Sequence, residues 1–225
     1  MFIGHFAVGF AAKRVAPRTS LATLVVAAVS LDAFWPLFVR LGLRKVLVIP
    51  GHAALTRLDL RPYSHSLVMA LVWSAALASA YWLRTRYRTG AVAVGLAVLS
   101  HWFLDFFSHD PDLPLAPWLP IRVGLPLGGS PAGMVAVECA LYIAGLAVYL
   151  HTTRAKGWSG HLSLWSVVAL LLVAYVWNLV PLPLPVVEAL HSVLLAVPAL
   201  ILVLWFVWVD RTRALRTPPR ALTGA

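Results

Sequence analysis

The residues with the clearest capacity for chemistry lie in one short segment, SHWFLDFFSHDPDLP, at positions 100–114. Within it, His101, Asp105 and His109 follow one another at intervals of four residues. On an α-helix each such step rotates the side chain by only about 40°, so the three would stack on one face. Imidazole and carboxylate groups are ligands for Zn²⁺ and related ions, and two donors four residues apart can chelate one ion. The spacing predicts a metal site, against the alternative of a hydrogen-bonded histidine at a helix end.

Three further segments carry ionisable groups in apolar surroundings. PYSHSL places His65 between two serines, of which Ser64 is a candidate helix N-cap. SLDAFWP carries Asp32, whose alternative role is a hydrogen bond to Ser30 or to a facing helix. His5 lies near the start of the chain, and by itself it favours a functional role and a structural role equally. Because charge within lipid is costly, an ionisable residue there is a functional hypothesis by default.

The composition defines the elements that must position these residues. Of 225 residues, 61% are hydrophobic and 12% are charged, and the mean hydropathy is +0.85. Soluble domains are about 45–50% apolar and about 25% charged. These values exclude a soluble globular domain, a disordered chain, a coiled coil and a collagen-like fibre, and they indicate an integral membrane protein. The single cysteine, Cys139, excludes an internal disulfide and a thiolate metal cluster.

The long apolar runs predict an all-α integral membrane protein with a bundle of about six transmembrane helices, because a helix needs roughly 17–25 apolar residues to cross a bilayer. The predicted spans are 21–39, 66–83, 91–107, 134–150, 162–180 and 186–209. Segment 2–12 is too short to span and is predicted to be an interfacial or half-inserted helix, with Gly4 and Gly9 allowing close packing. Residues 1–210 would form a single helical domain, followed by a basic cytoplasmic tail at 211–225.

The distribution of basic residues predicts the orientation. The chain has 18 Lys and Arg against 8 Asp and Glu, a formal net charge of +10. They form short clusters between apolar runs, which is typical of membrane flanks rather than of nucleic-acid binding. With six spans, the start of the chain, the 84–90 and 151–161 loops and the C-terminal tail share one side, which holds 12 of the 18 basic residues. The positive-inside rule then places both termini in the cytoplasm, and no nucleic-acid partner is predicted.

Nearly all the ionisable groups within the predicted spans fall in the outer half of the bilayer. Depth follows from the helical rise of about 1.5 Å per residue and the alternating direction of the spans. A wet cavity that opens on the outer face would place them this way. The groups are Asp32, His65, His101, Asp105, Glu138, Glu188 and His191. For Glu188 and His191, an acid favoured by the helix dipole at a helix start is an equal alternative.

Four motifs in order, MFIGHFAVGFAAKR, LDAFWPLF, RPYSHSL and SHWFLDFFSHDPDLPL, resemble the bacterial YdjM-like membrane-bound metal-dependent hydrolases. The resemblance covers residues 1–115, and beyond them only the hydropathy is similar. It implies a metal site on the residues at the motif positions, which are His5, Asp32, His65, His101 and Asp105. The family's acidic motif often has two aspartates two residues apart, whereas Asp32 is followed by Ala33 and Phe34. This departure implies fewer ligands and a single metal rather than a cluster.

The function predicted from these features is metal-assisted hydrolysis. A divalent ion with an open coordination position, zinc first and Mn²⁺ or Fe²⁺ as alternatives, lowers the pKa of its water to about 7. Asp105 or Glu138 would take the proton. A site reachable from lipid favours a membrane lipid or another small molecule with an ester or phosphoester bond as substrate. The absence of a Gly-x-Ser-x-Gly elbow disfavours a serine lipase.

Two functions from other classes stay open at this point. A proton or cation transporter or channel would need polar residues that continue to the cytoplasmic face, where the spans are nearly all Val, Leu and Ala. A non-catalytic membrane protein with a structural metal would hold its ion in a closed shell of four ligands. The sequence does not indicate an oligomeric state.

Overall fold

The computed structural model describes residues 1–33, 62–127, 129–180 and 196–216, and these residues are mostly helical. Eight helices lie in the described ranges. They are α1 (Ile3–Val15), α2 (Leu21–Ala33), α3 (Pro62–His65), α4 (Leu67–Thr85), α5 (Arg88–Phe106), α6 (Pro131–Thr152), α7 (Trp158–Leu179) and α8 (Ala196–Thr212).

Four helices, α4 to α7, are long and apolar enough to cross a membrane. Their outward faces are apolar: in α4 the only buried residue is Ala70, and large side chains such as Leu71, Leu96 and Val173 are exposed. Side chains of this kind are stable on a surface that contacts lipid. The predicted helical fold is therefore confirmed, and the four long apolar helices are compatible with a membrane protein.

The four helices correspond to the spans predicted at 66–83, 91–107, 134–150 and 162–180. The other two predicted spans, 21–39 and 186–209, extend into residues outside the described ranges. Their described parts are α2, with 13 residues, and α8, with 17 residues. The described structure thus supports four of the six predicted spans.

Successive helices run in opposite directions, so connecting segments collect at two ends of the bundle. At one end, Lys13 pairs with Asp210, and the guanidinium of Arg18 lies over the ring of Tyr87. We call this the basic end; it comprises residues 13–20, 81–90, 152–160 and 210–216. The opposite end, which we call the cluster end, holds the start of α1 and the C-terminal ends of α2 and α5. The predicted grouping of the basic loops at one end agrees with this arrangement.

The chain begins at the cluster end. The amine of Met1 lies 2.7 Å from Oδ1 of Asp105, whereas Arg216 donates to the carbonyl of Leu150 near the basic end. The described residues nearest the two termini therefore lie at opposite ends of the bundle. The prediction that both termini share one side is wrong for these residues, because α1 crosses the bundle once more than the predicted spans allowed.

Helix α1 lies inside the bundle, whereas the sequence predicted an interfacial or half-inserted helix. Its side chains Ile3, Phe6 and Phe10 belong to the main hydrophobic core. A Cβ at Gly145 of α6 would overlap the carbonyl oxygen of Ala7, so the two backbones are in contact. Its 13 residues span only about 20 Å, too short for an isolated span, but eight of them are buried against neighbouring helices.

Two short antiparallel ribbons close the ends of the bundle, and they depart from the purely helical expectation. Strands β1 (Leu113–Pro114) and β2 (Arg122–Val123) follow α5 at the cluster end. Strands β3 (Thr153–Ala155) and β4 (Arg213–Leu215) pair at the basic end. Since β3 follows α6 and β4 follows α8, this ribbon fixes the ends of two helices that are distant in sequence.

Candidate metal centre

Helix α5 positions the two central residues of the site. His101 and Asp105 are both buried, and Nε2 of His101 lies 3.4 Å from Oδ2 of Asp105. The spacing of four residues places them one turn apart on the inward face, as predicted from the sequence. Nδ1 of His101 donates to the carbonyl of Ala28 on α2 at 2.9 Å. This hydrogen bond places the proton on Nδ1, so the Nε2 lone pair is directed into the cluster.

His65 and Asp32 approach from the other side. Nε2 of His65 lies 3.1 Å from Oδ1 of Asp32 and 3.8 Å from Oδ2 of Asp105. The hydroxyl of Ser64 hydrogen-bonds Nδ1 of His65 at 2.7 Å, so Ser64 is not the helix cap. Ser66 has that role, because its hydroxyl accepts from the amide of Met69 at the start of α4. Ser64 therefore orients the imidazole of His65, and Ser66 caps the start of α4.

His5 enters the site from α1, and the close packing of that helix accounts for its position. Nε2 of His5 lies 3.2 Å from Oδ1 of Asp105. The His5 ring stacks on that of His101, with centroids 3.7 Å apart and planes within 2° of parallel. Two imidazolium cations would repel each other at this distance, so at least one of the two rings is neutral and able to ligate a metal.

Groups of these five side chains have the spacing of ligands that could hold a divalent metal ion. Ligand atoms around a tetrahedral ion with bonds of about 2.0–2.1 Å lie about 3.4 Å apart. The measured separations between Nε2 of His65 or His101 and the oxygens of Asp32 or Asp105 run from 3.1 to 3.8 Å. Nε2 of His101 is buried and has no hydrogen-bond partner among the described residues. A buried polar atom in this state costs free energy unless a ligand satisfies it.

The candidate ligands form two groups that share one residue. One group is His5, His101 and Asp105, and the other is Asp32, His65 and His101. Since Nδ1 of His101 is engaged by a backbone carbonyl, this ring has only Nε2 to offer and cannot bridge two ions. The groups are therefore alternatives for an ion that is bound by His101. A second ion could be bridged to the first only by a carboxylate group.

His109, the third residue of the predicted stripe, lies at the edge of the site. Helix α5 ends at Phe106, and His109 follows in the turn. Its Nε2 is 3.9 Å from Oδ1 of Asp105, while its Nδ1 lies 3.5 Å from Asp112. It belongs to neither ligand group. Helical periodicity aligns His101 with Asp105, but it does not apply to His109, because the helix has already ended.

Glu138, the other predicted proton acceptor, lies in neither ligand group and makes different contacts. Its Oε2 accepts hydrogen bonds from the amides of Phe2 at 2.7 Å and Gly4 at 3.3 Å. Helix α1 has no side-chain cap of its own, so this carboxylate from α6 caps its start. A negative charge is favoured at that position by the helix dipole. The predicted cavity residues Glu188 and His191 lie outside the described residues.

Exposure distinguishes Asp32 from the rest of the site. Its side chain is 59% exposed, whereas the side chains of His65, His101 and Asp105 are at most 4% exposed. The described part of the site is thus open on the side of α2. This exposure was not expected from the sequence, which placed all of these residues at similar depth.

Sequence reasoning missed two contacts that orient the site. The carbonyl of Ala28 belongs to an apolar residue, and backbone acceptors have no side-chain signature. The hydroxyl of Ser64 is visible in the sequence, but its position at a predicted helix start favoured a capping role over a hydrogen bond to His65. Comparison of this chain with protein-family models, curated proteins and solved structures finds no match.

Proposed function

We propose that this protein is a membrane-embedded, metal-dependent hydrolase. The observation that carries the proposal is the convergence of His5, Asp32, His65, His101 and Asp105 from four separate parts of the chain. These are the five positions on which the resemblance to the YdjM-like hydrolases rests. Their ligand atoms form two groups of three that share His101, each close enough together for one ion, and a buried imidazole nitrogen of His101 lacks a hydrogen-bond partner among the described residues.

The residues proposed to hold the ion are the group Asp32, His65 and His101. Asp105 is the proposed fourth ligand, because its Oδ2 lies 3.8 Å from Nε2 of His65 and 3.4 Å from Nε2 of His101, and His5 is the alternative ligand on the other side of Asp105. Two imidazoles and two carboxylates suit Zn²⁺, and they also suit Mn²⁺ or Fe²⁺. When bound, such an ion supplies Lewis-acid activation of water at neutral pH. Ser64 and the carbonyl of Ala28 hold the two imidazoles in orientation.

Asp105 is the proposed proton acceptor. Its two oxygens face different partners, Oδ2 towards His65 and His101 and Oδ1 towards His5 and Met1. One oxygen can therefore ligate while the other receives a proton, and His5 lies close enough to pass that proton on. Glu138 is the second candidate, but both of its known hydrogen bonds serve the start of α1.

The proposed substrate is a lipid or another small molecule with an ester or phosphoester bond. The buried cluster lies at one end of a bundle whose outward surface is apolar, and the exposed side of Asp32 offers an approach. We place the basic end in the cytoplasm of a bacterial inner membrane by the positive-inside rule, which puts the cluster at the outer leaflet. A reporter fused after Ala225 would test this, and activity in the periplasm would contradict it.

A transport function is less well supported by the packing of α1. Between His5 at the cluster end and Lys13 at the basic end, the buried side chains of this helix are Phe6, Ala7 and Phe10. A proton or cation path would need polar groups in that interval. A structural metal is the other alternative, and it predicts bound metal without turnover.

The decisive experiment is elemental analysis of the protein purified in detergent without chelator, followed by a screen of lipid esters and phosphoesters. We expect close to one divalent ion per chain and metal-dependent hydrolysis. Less than about a tenth of an ion per chain would contradict a metal centre of any kind. Full occupancy with no turnover on any substrate would favour the structural alternative.

A further inference from the structure

A second polar site lies at the basic end, far from the metal centre. Lys13 and Arg213 are both buried there, and a cavity of about 60 Å³ separates them. The rest of its wall is formed by Tyr149, Thr153, Asp210, Ala214 and Leu215. A single water needs only about 10–15 Å³. The cavity therefore has room for several waters or for one group of the size of a phosphate.

The charges around this cavity do not balance. Lys13 pairs with Asp210 at 3.2 Å, but Arg213 has no carboxylate within 4 Å among the described residues. Its guanidinium donates instead to Thr153 and to the carbonyl of Gly160, and it lies over the ring of Tyr149. Burial lowers the pKa of the Arg213 guanidinium from its ordinary value, a cost that an anionic ligand would offset. The lining thus holds two cations and one anion.

Hydrogen-bond donors remain for a ligand. Lysine carries three N–H donors and arginine carries five. Lys13 makes two hydrogen bonds, to the carbonyl of Thr19 and to Asp210, and Arg213 makes three to Thr153 and Gly160. An arginine and a lysine facing one cavity form the donor set that phosphate oxygens accept most readily.

The position of the site also suits a phosphate group. The exposed side chain of Trp158 begins α7 at this end, and Arg86 stacks on Trp82 at the end of α4. Exposed tryptophans and arginines at helix ends are typical of the headgroup layer of a membrane. Basic pockets between helices at this level bind anionic headgroups.

We propose that the cavity between Lys13 and Arg213 binds a phosphate group, supplied by an anionic phospholipid headgroup or by free phosphate. The site is independent of the proposed hydrolase activity, because the apolar side chains of α1 separate it from the metal centre. Its ligand would tie the ends of α1, α6 and β4 together.

The test measures thermal unfolding and direct binding of the full chain in phosphate-free detergent. The two probes are inorganic phosphate, matched with chloride at equal ionic strength, and mixed micelles of phosphatidylglycerol, matched with phosphatidylcholine. Stabilisation by phosphatidylglycerol alone identifies a lipid headgroup, and stabilisation by inorganic phosphate identifies a free anion. Either result supports the site, and the absence of both would overturn it. Chelator should change neither result, which separates this test from that of the metal centre.

Two substitutions with opposite expected effects distinguish a binding site from a structural ion pair. Lys13→Met should weaken binding about tenfold or more, because it removes one of two cationic contacts. Asp210→Asn should tighten binding, since it removes the competing carboxylate, and its single amide oxygen can replace either the acceptor of Lys13 or that of the Ala22 amide. Arg84→Gln, at an exposed arginine of the same end, should change nothing.

If Lys13→Met does not fold, Asp210→Asn decides the question alone. Unchanged or weaker binding in that variant would show that the buried charges serve only to hold the helices together.

Discussion

The two ends of the bundle hold opposite excesses of charge. At the cluster end, the carboxylates of Asp32 and Asp105 face imidazoles that need not be charged, and the amine of Met1 pairs with Asp105. At the basic end, Lys13 and Arg213 face the single carboxylate of Asp210. An uncompensated charge is costly in a low-dielectric interior, so each excess favours a ligand of the opposite sign. A bound cation would offset the excess at the cluster end, and a bound anion would offset the excess at the basic end.

At both ends of the bundle, a carboxylate from another helix accepts hydrogen bonds at the start of a helix. Glu138 of α6 accepts from the first amides of α1, and Asp210 of α8 accepts from the amide of Ala22 in α2. In both places a carboxylate from a distant helix satisfies amides that have no partner within their own helix. An acid buried in a membrane bundle can therefore have a purely structural role, and its contacts decide which role it has.

The largest expected effect concerns the metal at the cluster end. His101→Ala and Asp105→Ala should each lose nearly all bound metal, because His101 belongs to both ligand groups and Asp105 contacts all three imidazoles. Elemental analysis measures the loss, and added metal should raise the unfolding temperature of the native protein but not of the variants. His151→Ala, exposed near the basic end, is the control. Full metal content and unchanged sensitivity to chelator in His101→Ala would show that the residue is structural.

A smaller effect is expected at the serine that orients His65. Ser64→Ala should weaken metal binding about 10–100-fold, because it removes the hydrogen bond that holds the imidazole. Ser66→Ala is the matched control two residues away. It removes a helix cap, which costs about 1 kcal/mol of stability, and should leave metal affinity unchanged. Equal loss of affinity in both variants would mean that the metal responds only to the stability of this segment.

The position of α1 can be tested without touching a ligand. Gly145→Ala would push α1 away from α6, since the added Cβ overlaps the carbonyl of Ala7, and we expect a loss of about 1–3 kcal/mol. Metal affinity should fall if His5 is a ligand and stay constant if it is not. Gly157→Ala, where a Cβ meets no atom within 4 Å, should cost less than about 1 kcal/mol. Chemical denaturation in detergent compares the two, and similar losses would argue against the close contact.

The smallest effect is expected for Glu138→Gln. The amide oxygen can still accept from Phe2 and Gly4, so only the charge–dipole attraction is lost, about 0.3–1 kcal/mol. Glu138→Ala should cost more, about 1–3 kcal/mol, because it leaves buried amides without an acceptor. Both variants should retain metal. Turnover that persists in Glu138→Gln assigns proton transfer to Asp105, and turnover lost with stability intact assigns it to Glu138.

The sequence by itself determined the class of the protein and the core of the candidate site. Apolar runs long enough to cross a bilayer leave few alternatives to helices, because backbone groups in lipid must bond within their own segment. The pairing of His101 with Asp105 follows from helical periodicity, which is local and therefore readable from spacing. His65, Asp32 and His5 could be proposed for the same site because an ionisable residue in an apolar run needs a partner.

Only the tertiary structure decided which groups meet. The amides of Phe2 and Gly4 need an acceptor, but no local signal indicates that it comes from Glu138, more than a hundred residues later. The burial of α1 likewise depends on Gly145 of another helix. The pairing of Lys13 with Asp210 is equally invisible in the sequence, where both are ordinary flanking charges. Periodicity specifies the faces of a helix, whereas contacts between helices depend on packing across long sequence separations, which no local pattern encodes.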